Sequence, residues 1–327
     1  MSRSRRRLPA PEKIPERCRP QRPARPRAAS GRAGHNVSVI ADLTKAAALD
    51  RAGPAPADRT RTDAAPADRA DVSDAAARAA FPDWRFAPNI GGRPDVYEIE
   101  NRAVDSGGHV LAAMRTLAPW DGLDLVDLGC GTGYWLARYA EHASTVLGIE
   151  PDPVLRAAAA ERASDLPRTS VLAGSAERLP LPSGSADVVH ARFAYFLAPG
   201  GDAGLAEVLR VLRPGGSLVV VDNDYRWGQF AELLAGASAD PPQRTAAAID
   251  AWWRERGAIR REVRSELRFG NQADLAAVLH IELPGAVAAS WLARNPAAAA
   301  LTYGYVLFAV GRAAPGPASG KAASDPR

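Results

Sequence analysis

The chain has 327 residues, of which 46% are apolar and 24% charged, and its formal net charge is +4. Its length suits one large domain. Cys18 and Cys130 are the two cysteines, which excludes a disulfide scaffold and predicts a reducing, cytoplasmic compartment. The longest apolar region, residues 286–310, is interrupted by charged and helix-breaking residues at 294–296, so no membrane span is predicted.

The first 75 residues differ in composition from the rest of the chain. All 21 aromatic residues lie at or beyond Phe81, and residues 1–34 carry eleven Lys or Arg against two Glu, a net +9 that leaves −5 for the remainder. A segment rich in Ala, Pro and Arg that lacks aromatic residues cannot bury enough apolar surface to offset its ordering entropy. Residues 1–75 are therefore predicted to be disordered, as are residues 314–327.

Three interpretations of residues 1–75 are open: an arm that binds nucleic acid or another acidic partner, a targeting peptide, or sequence upstream of the true start. No apolar run follows Arg5-Arg6-Arg7, as a secretory signal would require. Arginine outnumbers lysine by 38 to 3, which is typical of a GC-rich genome, where such segments arise without selection for binding. We therefore favour the third interpretation and predict no nucleic-acid partner.

From Phe81 onward, strand-like and helical patterns alternate. In chain order the sequence predicts helix over 95–118 with a break at 107–108, strand 123–128, helix 134–142, strand 145–149, helix 153–163, strands 170–173 and 186–190, helix 203–212, strand 217–221, helix 245–256, an alternating segment 259–269, further helix, and strand 301–310. Such alternation indicates parallel strands with crossover helices, which form a three-layer α/β sheet. We predict one domain over residues 76–313, with a helical insertion at 224–258.

Three alternate glycines, Gly129, Gly131 and Gly133, follow the first predicted strand and lead directly into a helix. Glycine permits positive φ and close approach of a ligand to the backbone, and the helix N-terminus offers free N–H groups. This arrangement predicts a site for a ribose with a polar or anionic tail. A dinucleotide fingerprint needs G-x-G-x-x-G, but Tyr134 occupies the position of its third glycine, which weakens that interpretation.

Two acids support a nucleoside site. Asp127 extends the glycine pattern to D-x-G-x-G-x-G, with Cys130 between the first two glycines, a pattern typical of class I S-adenosylmethionine-dependent methyltransferases. Glu150 ends the second strand and can accept hydrogen bonds from both ribose hydroxyls, each contributing about 1.5–3 kcal/mol, while Asp152 is better placed as a helix N-cap. Because NAD-dependent enzymes also place an acid there, Glu150 does not choose between the cofactors.

Residues 174–182, 185–190 and 205–222 complete a recognisable series. Together with the glycine segment they resemble the methyltransferases related to the ubiquinone and menaquinone biosynthesis C-methyltransferases, the type 11 group, over about residues 95–222. The resemblance implies a Rossmann-like sheet, mostly parallel with an antiparallel last strand, and S-adenosyl-L-methionine as the cofactor.

The resemblance also assigns residues to the cofactor site. It implies that Ser175, Ala176 and Glu177 line the adenine, although aspartate is commoner in the family at position 175, and that Pro151 accompanies the ribose-binding acid. Arg192 would lie beside the methionine moiety or anchor an anionic substrate. Tyr97, on the helix that folds over the cofactor, would stack near the sulfonium, where cation–π attraction contributes about 0.5–2 kcal/mol, or pack in the core.

His190 and Arg192 are the candidate catalytic residues, His190 because imidazole titrates near neutrality. Asp222 and Asn223 resemble part of a metal site of catechol-type enzymes, but the acid after strand four is missing and no metal is predicted. Seven aromatic residues are candidates to line an apolar acceptor pocket, although we expect most of them in the core: Trp227, Trp252, Trp253, Phe269, Trp291, Tyr303 and Tyr305.

The sequence therefore predicts an enzyme that transfers a methyl group from S-adenosyl-L-methionine to a small molecule at oxygen, carbon or nitrogen. The alternatives are a non-catalytic protein that binds this cofactor and a nicotinamide-dependent oxidoreductase. The methyl acceptor and the oligomeric state are not predicted.

Overall fold

The structure is a computed structural model that describes residues 79–313 except 83, 85, 197–200 and 238–241. All of the described residues belong to one compact unit. The segments predicted to be disordered, 1–75 and 314–327, lie outside the described residues.

Helices and strands alternate along most of the described chain. They are α1 (Pro88–Gly92), α2 (Pro94–Ala103), α3 (His109–Leu117), β1 (Asp124–Leu128), α4 (Leu136–Ala140), β2 (Thr145–Ile149), α5 (Pro153–Ala163), β3 (Thr169–Leu172), β4 (Ala186–Arg192), α6 (Asp202–Val211), β5 (Leu212–Asn223), α7 (Gln229–Ala237), α8 (Pro242–Glu255), β6 (Ile259–Arg268), α9 (Gln272–Glu282), α10 (Gly285–Arg294) and β7 (Ala300–Gly311).

The strands form one sheet in the order β3-β2-β1-β4-β5-β7-β6. Strands β1 to β5 pair with one another in parallel, and β7 runs antiparallel to both β5 and β6. The predicted Rossmann-like sheet with an antiparallel last strand is therefore confirmed. In the register, Leu128 of β1 pairs with both Ile149 of β2 and Ala191 of β4, so the carboxyl ends of these strands lie side by side.

Two apolar cores cover the two faces of the sheet, as a three-layer fold requires. Along β5, Leu218 and Val220 pack into the core that contains α6 and α8, whereas Val219 and Val221 pack into the core that contains α2, α3, α7 and α9. Side chains alternate between faces along a strand, and with both faces covered the strand reads as a continuous apolar run.

Most predicted elements are confirmed to within a few residues, and the exceptions have local causes. Strand β5 begins at Leu212 rather than at 217, because Leu212 pairs with Ala186 across an irregularity in the β4–β5 register. Helix α1 was not predicted. Helices α7 and α8 occupy the stretch between β5 and β6. Within the described ranges, none of the helices has the length and apolar composition needed to cross a bilayer.

Candidate active site

A cavity of about 590 Å³ lies at the carboxyl ends of β1, β2, β4 and β5. This is the edge at which open α/β sheets bind their ligands, and the volume is within the range of small-molecule sites. The structure brings together in its wall the predicted cofactor residues other than Gly133, namely Tyr97, Asp127, Gly129, Cys130, Gly131, Glu150, Pro151, Ser175, Ala176, Glu177 and Arg192.

The glycine bend, residues 129–133, turns the chain sharply between β1 and α4. Gly129, Gly131 and Gly133 have φ values of +72°, +56° and +76°, a region that L-residues with a Cβ rarely adopt. The N–H groups of Gly129 and Cys130 both donate to the Ile149 carbonyl, at 2.8 and 3.1 Å. The bend is thereby fixed to the end of β2, next to Glu150.

Each glycine of the bend faces a different neighbour. A Cβ on Gly129 would lie 2.5 Å from the Ala194 Cβ, one on Gly131 would lie 2.8 Å from Ile90 Cδ1, and one on Gly133 would lie 3.0 Å from the Ala159 backbone. Gly131 therefore borders the cavity beside Ile90, whereas Gly133 allows α5 to pack closely.

Glu150 is buried, and both of its carboxylate oxygens are held by backbone N–H groups. Gly131 N–H donates to Oε2 at 2.8 Å and Asp152 N–H donates to Oε1 at 3.0 Å. Burial raises the pKa of Glu150 to about 7, while these two hydrogen bonds favour the carboxylate and act against that rise. The carboxylate is thus oriented before any ligand arrives, and each oxygen keeps a lone pair that could accept a hydroxyl.

Asp152 occupies the position that the sequence assigned to it. Its side chain accepts from the N–H groups of Val154 and Leu155, at 2.8 and 3.1 Å, and caps α5. The predicted N-cap is confirmed, which leaves Glu150 as the acid of this turn that faces the cavity without capping the helix.

Asp127 and Arg192 form a charged group between β1 and β4. Burial raises the pKa of Asp127 to about 7, and the positive charge of Arg192 partly offsets that rise. The Arg192 guanidinium lies 3.6 Å from the centroid of the Trp135 ring. Its Nε is buried and has no hydrogen-bond partner among the described residues.

The segment implied to line the adenine forms a tight turn after β3. Ser175 and Arg178 exchange backbone hydrogen bonds of 3.2 and 3.1 Å, and Ser175 and Ala176 are buried. Helix α2 is tied to the glycine bend from the other side, because the Thr132 hydroxyl donates to Glu98 Oε1 at 2.5 Å.

His190 lies away from the cavity wall. Its ring is fully buried between Trp120 and Tyr139, with each ring centroid 5.0 Å away, and neither ring nitrogen has a hydrogen-bond partner among the described residues. Burial and, to a smaller extent, the positive charge of Arg192 lower the pKa of His190 to about 3. A neutral, enclosed imidazole cannot reach a bound acceptor, and we assign it no proton-transfer role.

Strand β5 brings one polar side chain to the cavity and buries its neighbour. Asn223 lines the cavity and accepts a hydrogen bond from the Tyr303 hydroxyl. Asp222 is fully buried behind it, and burial raises its pKa to about 7. The acid–asparagine pair is therefore divided between the core and the site.

Of the aromatic candidates for an acceptor pocket, Tyr303 lines the cavity. The others lie elsewhere: Trp252, Trp253, Phe269, Trp291 and Tyr305 are buried in the two cores, and Trp227 is half-buried outside the cavity wall. Most of these side chains therefore belong to the core, as expected.

Two acids in the cavity wall, Glu100 of α2 and Glu282 of α9, were not predicted from the sequence. Both stand at apolar positions of their helices. Glu100 shares the buried face of α2 with Val96 and Ala103, and Glu282 lies one heptad beyond the buried Leu275. An acid on the apolar face of a helix was the available signal, because a buried charge is rare unless it has a function or a partner.

Comparisons with known proteins identify the family of this domain. Residues 126–220 match the family model of a methyltransferase domain. An uncharacterized methyltransferase of Mycobacterium tuberculosis is 39% identical over 137 residues, which cover 39% of this chain and 53% of the relative. A demethylmenaquinone methyltransferase of Beutenbergia cavernae is 33% identical over 141 residues, covering 42% of this chain and 58% of the relative.

A third relative, a nocamycin O-methyltransferase of Saccharothrix syringae, is 41% identical over 105 residues, which cover 31% of this chain and 38% of the relative. The chain thus spans about half the length of the curated relatives it matches. Residues 126–220, which the family model matches, include the glycine bend, Glu150 and the turn at 175–177. Residues 126–220 therefore form a class I S-adenosylmethionine-dependent methyltransferase domain of the type 11 group, which confirms the resemblance found in the sequence.

Proposed function

We propose that this protein transfers the methyl group of S-adenosyl-L-methionine to a small-molecule acceptor at oxygen, carbon or nitrogen. One observation carries the proposal: the glycine bend and the pre-oriented Glu150 carboxylate border the same cavity at the carboxyl edge of the sheet. That arrangement suits a nucleoside whose ribose hydroxyls donate to the carboxylate. The relatives named for demethylmenaquinone and nocamycin support a small-molecule acceptor.

We propose that the cofactor site consists of the residues identified from the sequence. Glu150 would accept the ribose hydroxyls, the turn formed by Ser175, Ala176 and Glu177 would contact the adenine, and the open backbone of the glycine bend would face the amino-acid end of the cofactor. Asp127 supplies negative charge and Arg192 positive charge at that end. These opposite charges match an ammonium and a carboxylate on one ligand.

The chemical demands on the protein are modest. The bound cofactor supplies a methyl group on a positively charged sulfur, which is already activated for attack by a nucleophile. The chain's own residues have to hold donor and acceptor in line and exclude water, and such orientation can contribute about 7–11 kcal/mol. The strained backbone at Phe193 and Tyr195, with φ of +49° and +56°, presents the loop after β4 to the cavity.

We place the catalytic domain at residues 76–313 and the reaction in the cytoplasm, where the buried free thiol of Cys130 stays reduced. No role in the reaction is proposed for residues 1–75, and nucleic acid is not proposed as a partner.

The test is calorimetric titration of the protein with S-adenosylhomocysteine and, separately, with NAD. We expect S-adenosylhomocysteine to bind with micromolar affinity or better and NAD not to bind. Binding of NAD alone would favour an oxidoreductase. Binding of S-adenosylhomocysteine without methyl transfer to any member of an acceptor library would favour a non-catalytic binding protein.

A further inference from the structure

Part of the cavity wall is built by helices rather than by the glycine bend, and it carries two carboxyl groups. Glu100 of α2 and Glu282 of α9, here called the carboxyl pair, face each other across the cavity wall. Glu100 is 7% exposed. Each acid is close enough to act on the pKa of the other, and Asn89 Nδ2 donates to Glu282 Oε1 at 2.7 Å.

Burial and mutual repulsion favour one shared proton on the carboxyl pair in the free protein. Two neighbouring buried carboxylates repel each other, and a shared proton relieves that repulsion. Burial raises the pKa of Glu100 well above its ordinary value and the neighbouring Glu282 raises it further, which favours the proton on Glu100. Glu100 Oε2 is buried and has no hydrogen-bond partner among the residues that the structure describes.

The surroundings of the carboxyl pair are electronegative. Among the described residues, neither acid forms an ion pair, and Arg192 is the one cationic side chain of the described cavity wall, which also contains six acids. Glu282 is the last residue of α9 and Glu100 lies in the last turn of α2. Helix C-termini carry partial negative charge, so two helix ends add to the charge of the pair.

Aromatic rings complete this part of the wall. Tyr97 and Tyr303 line the cavity. Burial raises the pKa of both phenols, and the negative charge of the nearby carboxyl pair raises it further. Carboxylates bind ammonium groups by ion pairing, and tyrosine rings bind them by cation–π attraction. A site that has both is suited to an ammonium group.

We propose that the carboxyl pair binds a protonated amino group of the methyl acceptor, so that the acceptor is a small molecule carrying a cationic amine. This inference rests on the proposed function, because it names the substrate class of the same site. On binding, the ammonium enters beside Glu282, the shared proton leaves Glu100 for the solvent, and the two carboxylates face one cation. The acceptor's amine serves for recognition, and the methylated atom is not specified by this contact.

The test compares three compounds of similar size on protein saturated with S-adenosylhomocysteine: 2-phenylethylamine, 2-phenylethanol and phenylacetate. Calorimetric titration should show the amine binding at least tenfold more tightly than the alcohol and the acid. Equal affinities, a preference for the acid, or no binding of any of the three would overturn the inference.

Two variants test the assignment to these residues. Glu282→Gln retains an acceptor for Asn89, and Glu100→Gln retains a donor for Glu282, so both are nearly isosteric. A charged hydrogen bond corresponds to about 10- to 100-fold in affinity, and we expect each variant to weaken amine binding by that factor while 2-phenylethanol is unaffected. Glu141→Gln, at an exposed glutamate, is the matched control and should behave as the wild type.

The same variants separate this inference from the proposed function. If the wild type fails to bind S-adenosylhomocysteine, the proposed function fails. If Glu282→Gln and Glu100→Gln lose S-adenosylhomocysteine affinity, the carboxyl pair serves the cofactor's own ammonium and the inference is overturned while the function stands. We expect both variants to retain wild-type affinity for S-adenosylhomocysteine. Should Glu100→Gln fail to fold, the half-buried Glu282 position decides the outcome.

Discussion

Replacing Glu150 should weaken cofactor binding more than any other single substitution in the sheet edge. Its carboxylate is fixed by the N–H groups of Gly131 and Asp152 and needs no rearrangement to receive a ribose. Glu150→Ala removes the acceptor entirely. Glu150→Gln preserves the shape of the side chain, but its amide NH₂ would face one of the two backbone N–H groups. Two hydrogen-bond donors would then point at each other without an acceptor between them.

The magnitude follows from two hydrogen bonds to a buried charge. Each contributes about 1.5–3 kcal/mol, so the loss of both amounts to about 3–6 kcal/mol, or roughly 10²- to 10⁴-fold in Kd. The effect should depend on pH. Burial raises the pKa of Glu150 to about 7, and the ionised form is the better acceptor, so wild-type affinity for S-adenosylhomocysteine should increase as the pH rises from 6 to 8.

The assay is a double-mutant cycle by calorimetry. Wild type and Glu150→Ala are titrated with S-adenosylhomocysteine and with its 2′-deoxy analogue, and the cycle isolates the coupling between the carboxylate and that hydroxyl. We expect the missing hydroxyl to weaken binding to the wild type and to have little effect in Glu150→Ala, whose affinity should also vary little with pH.

Glu161→Gln, on the exposed face of α5, is the matched control and should bind as the wild type does. Equal losses from the 2′-deoxy analogue in wild type and Glu150→Ala would refute the assignment of Glu150 to the ribose, even if both proteins bound S-adenosylhomocysteine.

Two further substitutions test the interior of the site. His190→Phe should leave kcat unchanged and raise the free energy of unfolding by about 1 kcal/mol, because it removes a buried polar ring without hydrogen bonds. The folded-state pKa of His190 lies near 3, below its ordinary 6.5, so unfolding takes up a proton between these pH values and the wild type loses stability as the pH falls from 6.5 toward 3. The variant should lack this loss of stability. An abolished kcat would contradict this account. Gly129→Ala and Gly122→Ala both place a side chain at φ near +70°, but only the first meets an atom, the Ala194 Cβ at 2.5 Å. Backbone strain costs about 1–2 kcal/mol in each, so thermal or urea unfolding should show a larger loss for Gly129→Ala, and equal losses would show that the contact with Ala194 is unimportant.

The fold could be predicted from the sequence because its signals are local. Strands covered on both faces are continuous apolar runs, and helices have a 3.6-residue apolar period; these patterns located β1, β2 and α5 closely. The five-residue α1 contains Pro88 and two glycines, which have low helix propensity, and it was missed. The first residues of β5 contain Pro214 and Gly215 and were likewise not predicted, since they pair with the chain only in the assembled sheet.

The candidate site was likewise predictable from the sequence only in part. The glycine bend and Glu150 were identified because the residues that make them are adjacent or end neighbouring strands. The position of His190 depends on Trp120, 70 residues earlier in the chain, and on Tyr139. Its burial without hydrogen bonds results from that packing, which no local pattern in the sequence shows.

The carboxyl pair shows why a cofactor site is easier to predict from the sequence than an acceptor site. The family model covers residues 126–220, which include the glycine bend and Glu150 but not Glu100, Glu282 or Tyr303. A site for a common cofactor can be encoded in one continuous segment, because the same backbone geometry serves every acceptor. The proposed acceptor contacts come from α1, α2, α9 and β7, elements on either side of that segment that meet only after the sheet forms. Selectivity for the acceptor can therefore change by substitution in the flanking helices while the cofactor site remains intact.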